Sequence, residues 1–84
     1  MEWTPVTSSQ IKEIGWEADA EKPLGIRFHP GKRAAAEGVP YLEYHYGGIT
    51  PEMHTAFLGA ESKGHWFKVN VKPFPDQFPF VKVV

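Results

Sequence analysis

Two tyrosines and three lysines are the residues of this sequence best suited to binding chemistry. Tyr44 and Tyr46 are two positions apart, so in a strand their rings lie on one face. Aromatic rings on a sheet stack on nucleic-acid bases, and cationic side chains follow the phosphates. The lysines come later in the chain, and the candidate nucleic-acid site is Tyr44, Tyr46, Lys63, Lys68 and Lys72.

The same tyrosines also suit a structural role. Leu42, Tyr44 and Tyr46 alternate with polar residues, so one face of their strand is bulky and apolar. That face can form a core against Met53 and Phe57 of the segment that follows. A tyrosine hydroxyl group can still reach the rim of such a core and offer a hydrogen bond.

The opposite face of the same strands is an alternative candidate surface. Its members lie at alternate positions and carry polar or aromatic side chains: Arg27, His29, Tyr41, Glu43 and His45. This face offers hydrogen-bond donors, acceptors and a ring. A solvated sheet face has the same composition, so the sequence leaves the two interpretations open.

Signatures of catalysis and of metal binding are missing from the sequence. None of the four histidines is four residues from another, and no His-Glu-x-x-His motif occurs. Ser8-Ser9 lacks the glycines of a nucleophile elbow, and without cysteine the chain has no thiolate. The amides of Gly47-Gly48 could meet an anion, although turning the chain is their simpler role. We expect a protein that is not an enzyme, with no catalytic residue, cofactor or metal.

Length and charge limit the classes of partner. A chain of 84 residues predicts one domain over residues 1–84, with a thin core that depends on aromatic rings. The formal charge of −1 argues against a protein that mainly grips duplex phosphates. The charge is −3 over residues 1–60 and +2 over residues 61–84, so a local basic strip competes with plain solvated lysines. A polar start and short apolar runs lead us to expect a soluble, cytoplasmic protein without a membrane partner.

Alternation of apolar and polar residues predicts the strands. We expect strands at 11–18, 24–29 and 41–46, and an edge strand within 78–84. Residues 1–10 have no such pattern and are interpreted as a lead-in from which Trp3 packs back onto the body. The connection at 30–40 is interpreted as a mobile loop in which the alanines could form one helical turn.

Two further segments contain signals for the start of a helix. Thr50-Pro51-Glu52 is a typical helix start, with a capping hydroxyl, a proline at the first position and an early acid. The apolar stripe of that helix is Met53, Ala56, Phe57 and Ala60. Residues 62–72 are ambiguous, because Val69 and Val71 favour a strand whereas Ser62 could cap a helix.

The order of these segments resembles the KTSC domain, a short module named for the C-termini of lysyl-tRNA synthetases and also found as stand-alone bacterial and phage proteins. The residues that carry the resemblance lie within 8–74: Ser8-Ser9, Ile11, Ile14-Gly15-Trp16, Leu24, Ile26, Phe28, Gly31, Tyr44-His45-Tyr46, Gly48-Ile49-Thr50-Pro51, Ala60, Ser62, Gly64, Phe67, Val71 and Lys72. The chain departs from the family in its longer 32–40 loop, at Lys68 and at Trp16. The resemblance implies that 62–72 is helical, and its association with a tRNA enzyme implies binding to nucleic acid, RNA above all.

We therefore predict an α+β domain, with a small antiparallel sheet of three to four strands and one or two helices packed on one face. The predicted core is Ile14, Trp16, Leu24, Ile26, Phe28, Leu42, Tyr44, Tyr46, Met53, Phe57 and Phe67. One function is a non-enzymatic module that binds single-stranded nucleic acid (RNA) or a nucleotide. The alternative is a protein-interaction module, such as a phage accessory or host-modulating factor, for which a homo-oligomer is one possible assembly.

Overall fold

The fold is α+β, built on a five-stranded antiparallel sheet in which each strand pairs with its neighbours in chain order. The computed structural model describes residues 1–83, and Val84, part of the predicted edge strand, lies outside them. The strands are β1 (Glu2–Pro5), β2 (Ile11–Trp16), β3 (Leu24–Phe28), β4 (Leu42–Tyr46) and β5 (Phe80–Val83), and the helices are α1 (Lys32–Ala36), α2 (Pro51–Gly59) and α3 (Lys63–Asn70). No helix within residues 1–83 is both long and apolar enough to cross a bilayer.

The prediction of three to four strands and one or two helices falls short by one strand and one helix. The additional strand is β1, which pairs with β2 so that Trp3 lies opposite Gly15. Gly15 lies in turn opposite Gly25 on β3. The two glycines leave a trough that the Trp3 ring fills, since a Cβ on Gly15 would approach the ring to 2.8 Å. Trp3 therefore packs back onto the body, as predicted, but it does so from a strand.

The additional helix is α1, in the segment predicted to be a loop. The alanine run forms this five-residue helix, and none of its residues is buried.

Capping hydroxyl groups set the starts of the two longer helices. Thr50 Oγ1 accepts a hydrogen bond from the Met53 amide at 3.1 Å, and Pro51 is the first residue of α2, as predicted. Ser62 Oγ accepts from the His65 amide at 3.3 Å and begins α3. The helix implied by the resemblance is therefore confirmed, and the strand favoured by propensity is wrong for 63–70. The β-branched Val69 is half exposed, so its strand preference costs little there.

The core lies between one face of the sheet and helices α2 and α3. Its buried members are Ile11, Ile14, Leu24, Ile26, Tyr46, Ile49, Phe57, Phe67, Val71 and Phe78. Four other predicted core residues pack partly buried against it: Trp16, Phe28, Tyr44 and Met53. The predicted core residue Leu42 does not join this cluster; it lies opposite Phe28 at the end of the β3–β4 ladder.

The helix that covers the tyrosines is not the one predicted. Phe67 of α3 is the ring against Tyr46, with 5.3 Å between the ring centroids. Phe57 of α2 is fully buried, and its ring centroid is 6.5 Å from that of Phe67. The buried ring of β4, Tyr46, is therefore covered by α3, the helix that also carries Lys63 and Lys68.

Candidate functional site

A cleft lined mainly by rings opens between β4, β5 and the end of α3. Its cavity measures about 320 Å³, within the range of small-molecule pockets. We call it the aromatic cleft, and its lining is Phe28, Tyr44, Tyr46, Phe67, Val71, Lys72, Pro75, Phe78 and Phe80.

Strand register produces this cleft. In the β4–β5 ladder Tyr46 lies opposite Phe80 and Tyr44 lies opposite Lys82, so all four side chains project from the same face. The ring centroid of Phe80 is 5.6 Å from that of Tyr46 and 6.0 Å from that of Tyr44. Tyr46 is buried and forms the floor, whereas Tyr44 is half-buried and Phe80 is 51% exposed. The rim therefore presents aromatic surface to solvent.

Burial also fixes the protonation state of Tyr46, the residue that forms the floor of the cleft. It raises the pKa of Tyr46 to about 12, with a smaller contribution from Tyr44. The Tyr46 hydroxyl group therefore stays neutral over the usual working range of pH. It can donate a hydrogen bond, and it adds no negative charge to the cleft.

A second cavity of about 400 Å³ adjoins the aromatic cleft along α3. We call it the basic groove, and its lining is Ser9, Gln10, Phe28, His29, Pro30, Gly64, Phe67, Lys68 and Lys72. The two cavities share Phe28, Phe67 and Lys72, so Lys72 lies at their junction. Among residues 1–83, no carboxylate lines either cavity, although the chain as a whole carries a charge of −1.

The structure brings together four of the five residues of the candidate nucleic-acid site. Tyr44, Tyr46 and Lys72 line the aromatic cleft, and Lys68 joins Lys72 in the basic groove. Lys63 is not among the lining residues of either cavity. Its ammonium group donates a hydrogen bond to the Ala60 carbonyl oxygen at 2.9 Å, at the junction of α2 and α3.

Two residues of the site lie outside that five-residue set. Phe80 was predicted only as part of an edge strand, and its place opposite Tyr46 depends on a pairing between distant segments. His29 was assigned to the opposite sheet face. The chain leaves β3 after Phe28, and His29 Nε2 donates to the Ser8 carbonyl oxygen at 3.1 Å, which places the ring in the basic groove.

The outer face of the sheet, away from α2 and α3, holds the other four members of the alternative surface: Arg27, Tyr41, Glu43 and His45. The Arg27 guanidinium group lies between two rings, 3.8 Å from the centroid of Trp3 and 4.5 Å from that of Tyr41. It also donates to Glu43 at 2.9 Å and to Glu13 at 3.1 Å. Arg27 thus has cation–π and ion-pair partners within the chain itself.

His45 completes this outer cluster. Its Nε2 atom lies 2.7 Å from a carboxylate oxygen of Glu43. Burial alone would raise the pKa of Glu43, but the hydrogen bonds from Arg27 and His45 outweigh burial and hold that pKa below its ordinary value. Since its charges are already paired, the outer cluster is better suited to fixing the sheet than to capturing a charged ligand.

No group of three or more histidine or carboxylate side chains converges on a metal-binding position within residues 1–83. The candidate site is therefore made of rings, hydroxyl and amide groups, and lysines. Such a set is suited to stacking on flat rings and pairing with anions.

Comparison with known proteins gives a family and a fold. The family model described as the KTSC domain matches residues 7–74. No curated protein matches the chain. Among solved structures, the chain is similar to a crystal structure of a KTSC domain protein from Yersinia pestis. The sequence identity is 25%, the TM-score is 0.69, and the match covers 99% of this chain and 97% of that one.

Proposed function

We propose that this chain, which belongs to the KTSC domain family, is a non-enzymatic module that binds single-stranded nucleic acid or a nucleotide. One observation carries the proposal: a cleft with exposed rings opens directly into a groove that carries two lysines and no carboxylate. Single-strand binders combine these two features, because rings stack on bases while cations follow the backbone.

Each part of the site has a role under this proposal. A base enters the aromatic cleft and contacts the half-buried ring of Tyr44 and the exposed ring of Phe80, while buried Tyr46 closes the floor. Lys72 at the junction takes the phosphate attached to that nucleotide, and Lys68 of α3 lines the same basic groove. Stacking of one base on a protein ring typically contributes about 1–3 kcal/mol.

The local charge supports an anionic ligand. The whole chain has a charge of −1 and should repel nucleic acid weakly from most directions. The basic groove departs from this average, because its ionisable side chains are two lysines and one histidine. Lys82 adds a further cation on the same face, opposite Tyr44.

A salt titration tests the proposal. Binding of a short oligouridylate is measured by calorimetry over a range of monovalent salt. Two phosphate contacts on a single strand predict that log K falls against log salt with a slope of about −1.4. A slope near zero would contradict binding through phosphate contacts. A complete lack of binding would contradict the proposed function.

A protein-interaction module is the second candidate, and a specific feature of β5 favours it. This edge strand exposes Phe80 on the cleft face and Val81 on the outer face, 51% and 47% exposed. Exposed apolar edge strands can pair with a strand of another chain. Val81→Lys would block such pairing and leave the cleft intact, because Val81 lies opposite His45 on the outer face. Pull-down from a lysate with and without nuclease then separates a protein partner from a nucleic-acid bridge.

A further inference from the structure

A third cavity extends the basic groove past the start of α3. It measures about 190 Å³, and its lining is wholly polar apart from a glycine. We infer that the three cavities form one continuous track that holds a single-stranded oligonucleotide of at least two nucleotides in preference to a mononucleotide. The inference rests on the proposed function and names the ligand class more closely.

Shared lining residues make the track continuous. The aromatic cleft and the basic groove have Phe28, Phe67 and Lys72 in common. The basic groove and the third cavity have Ser9, Gln10, Gly64 and Lys68 in common. Each boundary therefore carries one lysine.

The position of the two lysines decides between one nucleotide and several. A nucleotide whose base fills the aromatic cleft has its phosphate within reach of Lys72, which lines that cleft. Lys68 lines the second and third cavities and not the first. A ligand whose base fills the aromatic cleft and that also contacts Lys68 must therefore extend into the basic groove, and a strand with a second phosphate does so.

The side chains that line the track change from aromatic at one end to polar at the other. Rings dominate the end at β5, whereas hydroxyl, amide and imidazole groups line the end at Ser62 and His65. Gly64 permits the close approach of Gln10 at this end, because a Cβ there would collide with the Gln10 amide group. Bases prefer the first environment and the sugar–phosphate backbone prefers the second.

A length series tests the inference. Calorimetry at low salt compares uridine monophosphate with oligouridylates of two, three, four and six nucleotides on the wild-type chain. We expect the affinity to rise about tenfold or more between one and three nucleotides, because a second charge-assisted contact forms, and then to level off. Lys68→Gln should abolish this gain. Lys72→Gln should weaken the binding of every member of the series.

Lys63→Gln is the matched control, since it removes the same charge from the same helix outside the track. Thermal melts of all three variants verify that they fold. Equal affinities for the monophosphate and the trimer, or a full length gain in Lys68→Gln, would overturn the track and leave the binding function standing. If the wild-type chain binds no member of the length series, both the track and the proposed binding function would be overturned.

Discussion

Tyr46 and Phe80 face each other across the β4–β5 pair with 5.6 Å between their ring centroids, and the first ring is buried while the second is half exposed. One aromatic pair thus joins the core to the surface. The buried ring holds the strand in place, and the exposed ring gives the aromatic cleft an accessible wall. The function of the cleft therefore depends on a residue whose loss the fold should tolerate.

Replacing Phe80 with alanine should weaken nucleotide binding and spare the fold. The lost stacking surface corresponds to about 1–3 kcal/mol of binding free energy. Phe74→Ala is the matched control, because Phe74 is 46% exposed and does not line the aromatic cleft. Calorimetric titration measures the affinity and thermal melting measures the stability. Equal affinities of the two variants for oligouridylate would contradict the role of Phe80.

Replacing Phe57 with alanine should destabilise the whole domain. The ring is fully buried and stacks on Trp66 at 4.9 Å, so its removal leaves a cavity and should cost about 3–5 kcal/mol. Urea denaturation measures the free energy of unfolding, again with Phe74→Ala as the exposed counterpart. If Phe57→Ala unfolds at the same urea concentration as the wild type, the packing described for α2 is wrong.

The lysines of the basic groove should set the salt dependence of binding. Lys68→Gln and Lys72→Gln should each make the slope of log K against log salt shallower by about 0.7, since each removes one phosphate contact. Lys63→Gln should leave the slope unchanged, because Lys63 lines neither the aromatic cleft nor the basic groove and its ammonium group is directed to the Ala60 carbonyl oxygen. A loss of slope in Lys63→Gln equal to the other two would show that general charge, and not the groove, attracts the ligand.

The ion pairs of Glu43 should make the stability depend on pH in the acid range. The folded-state pKa of Glu43 is lowered, so its contribution is present above the ordinary carboxylate value of 4.5 and is lost as pH falls through the folded-state value. Unfolding free energies from urea titrations at a series of pH values should fall in the wild type as pH drops below that range. Glu43→Gln should give a shallower fall, whereas Glu61→Gln, which removes an exposed carboxylate, should follow the wild type. Parallel curves for wild type and Glu43→Gln would rule out this linkage.

Local patterns in the sequence were sufficient for the centre of the fold. Alternation located β2, β3 and β4, and the Thr50-Pro51 pair located the start of α2, because these signals depend on near neighbours. The strand β1 was missed, since Trp3 gains its place only when Gly15 and Gly25 come together from two other strands. In 62–72 the cap at Ser62 and the packing of Phe67 outweighed the strand preference of two valines.

The candidate site was predicted in part for the same reason. Tyr44 and Tyr46 share a face by alternation, and Lys68 and Lys72 belong to the local excess of positive charge in residues 61–84, so both pairs were accessible to sequence reasoning. Phe80 was not, because only the register of β5 against β4 places it over the tyrosines. Arg27 was predicted to lie on a face that could bind a ligand. Its ring partner Trp3 belongs to β1, the strand that was not predicted, so the sequence did not show that the guanidinium group is already engaged.

The most direct test maps the binding surface by nuclear magnetic resonance. An amide-detected titration of the ¹⁵N-labelled chain with a uridine trimer reports which residues change environment. We expect shifts along β4, β5 and residues 64–72, with the amides of Arg27 and Trp3 on the outer face unaffected. Shifts confined to the outer face, or none at saturating trimer, would contradict this expectation.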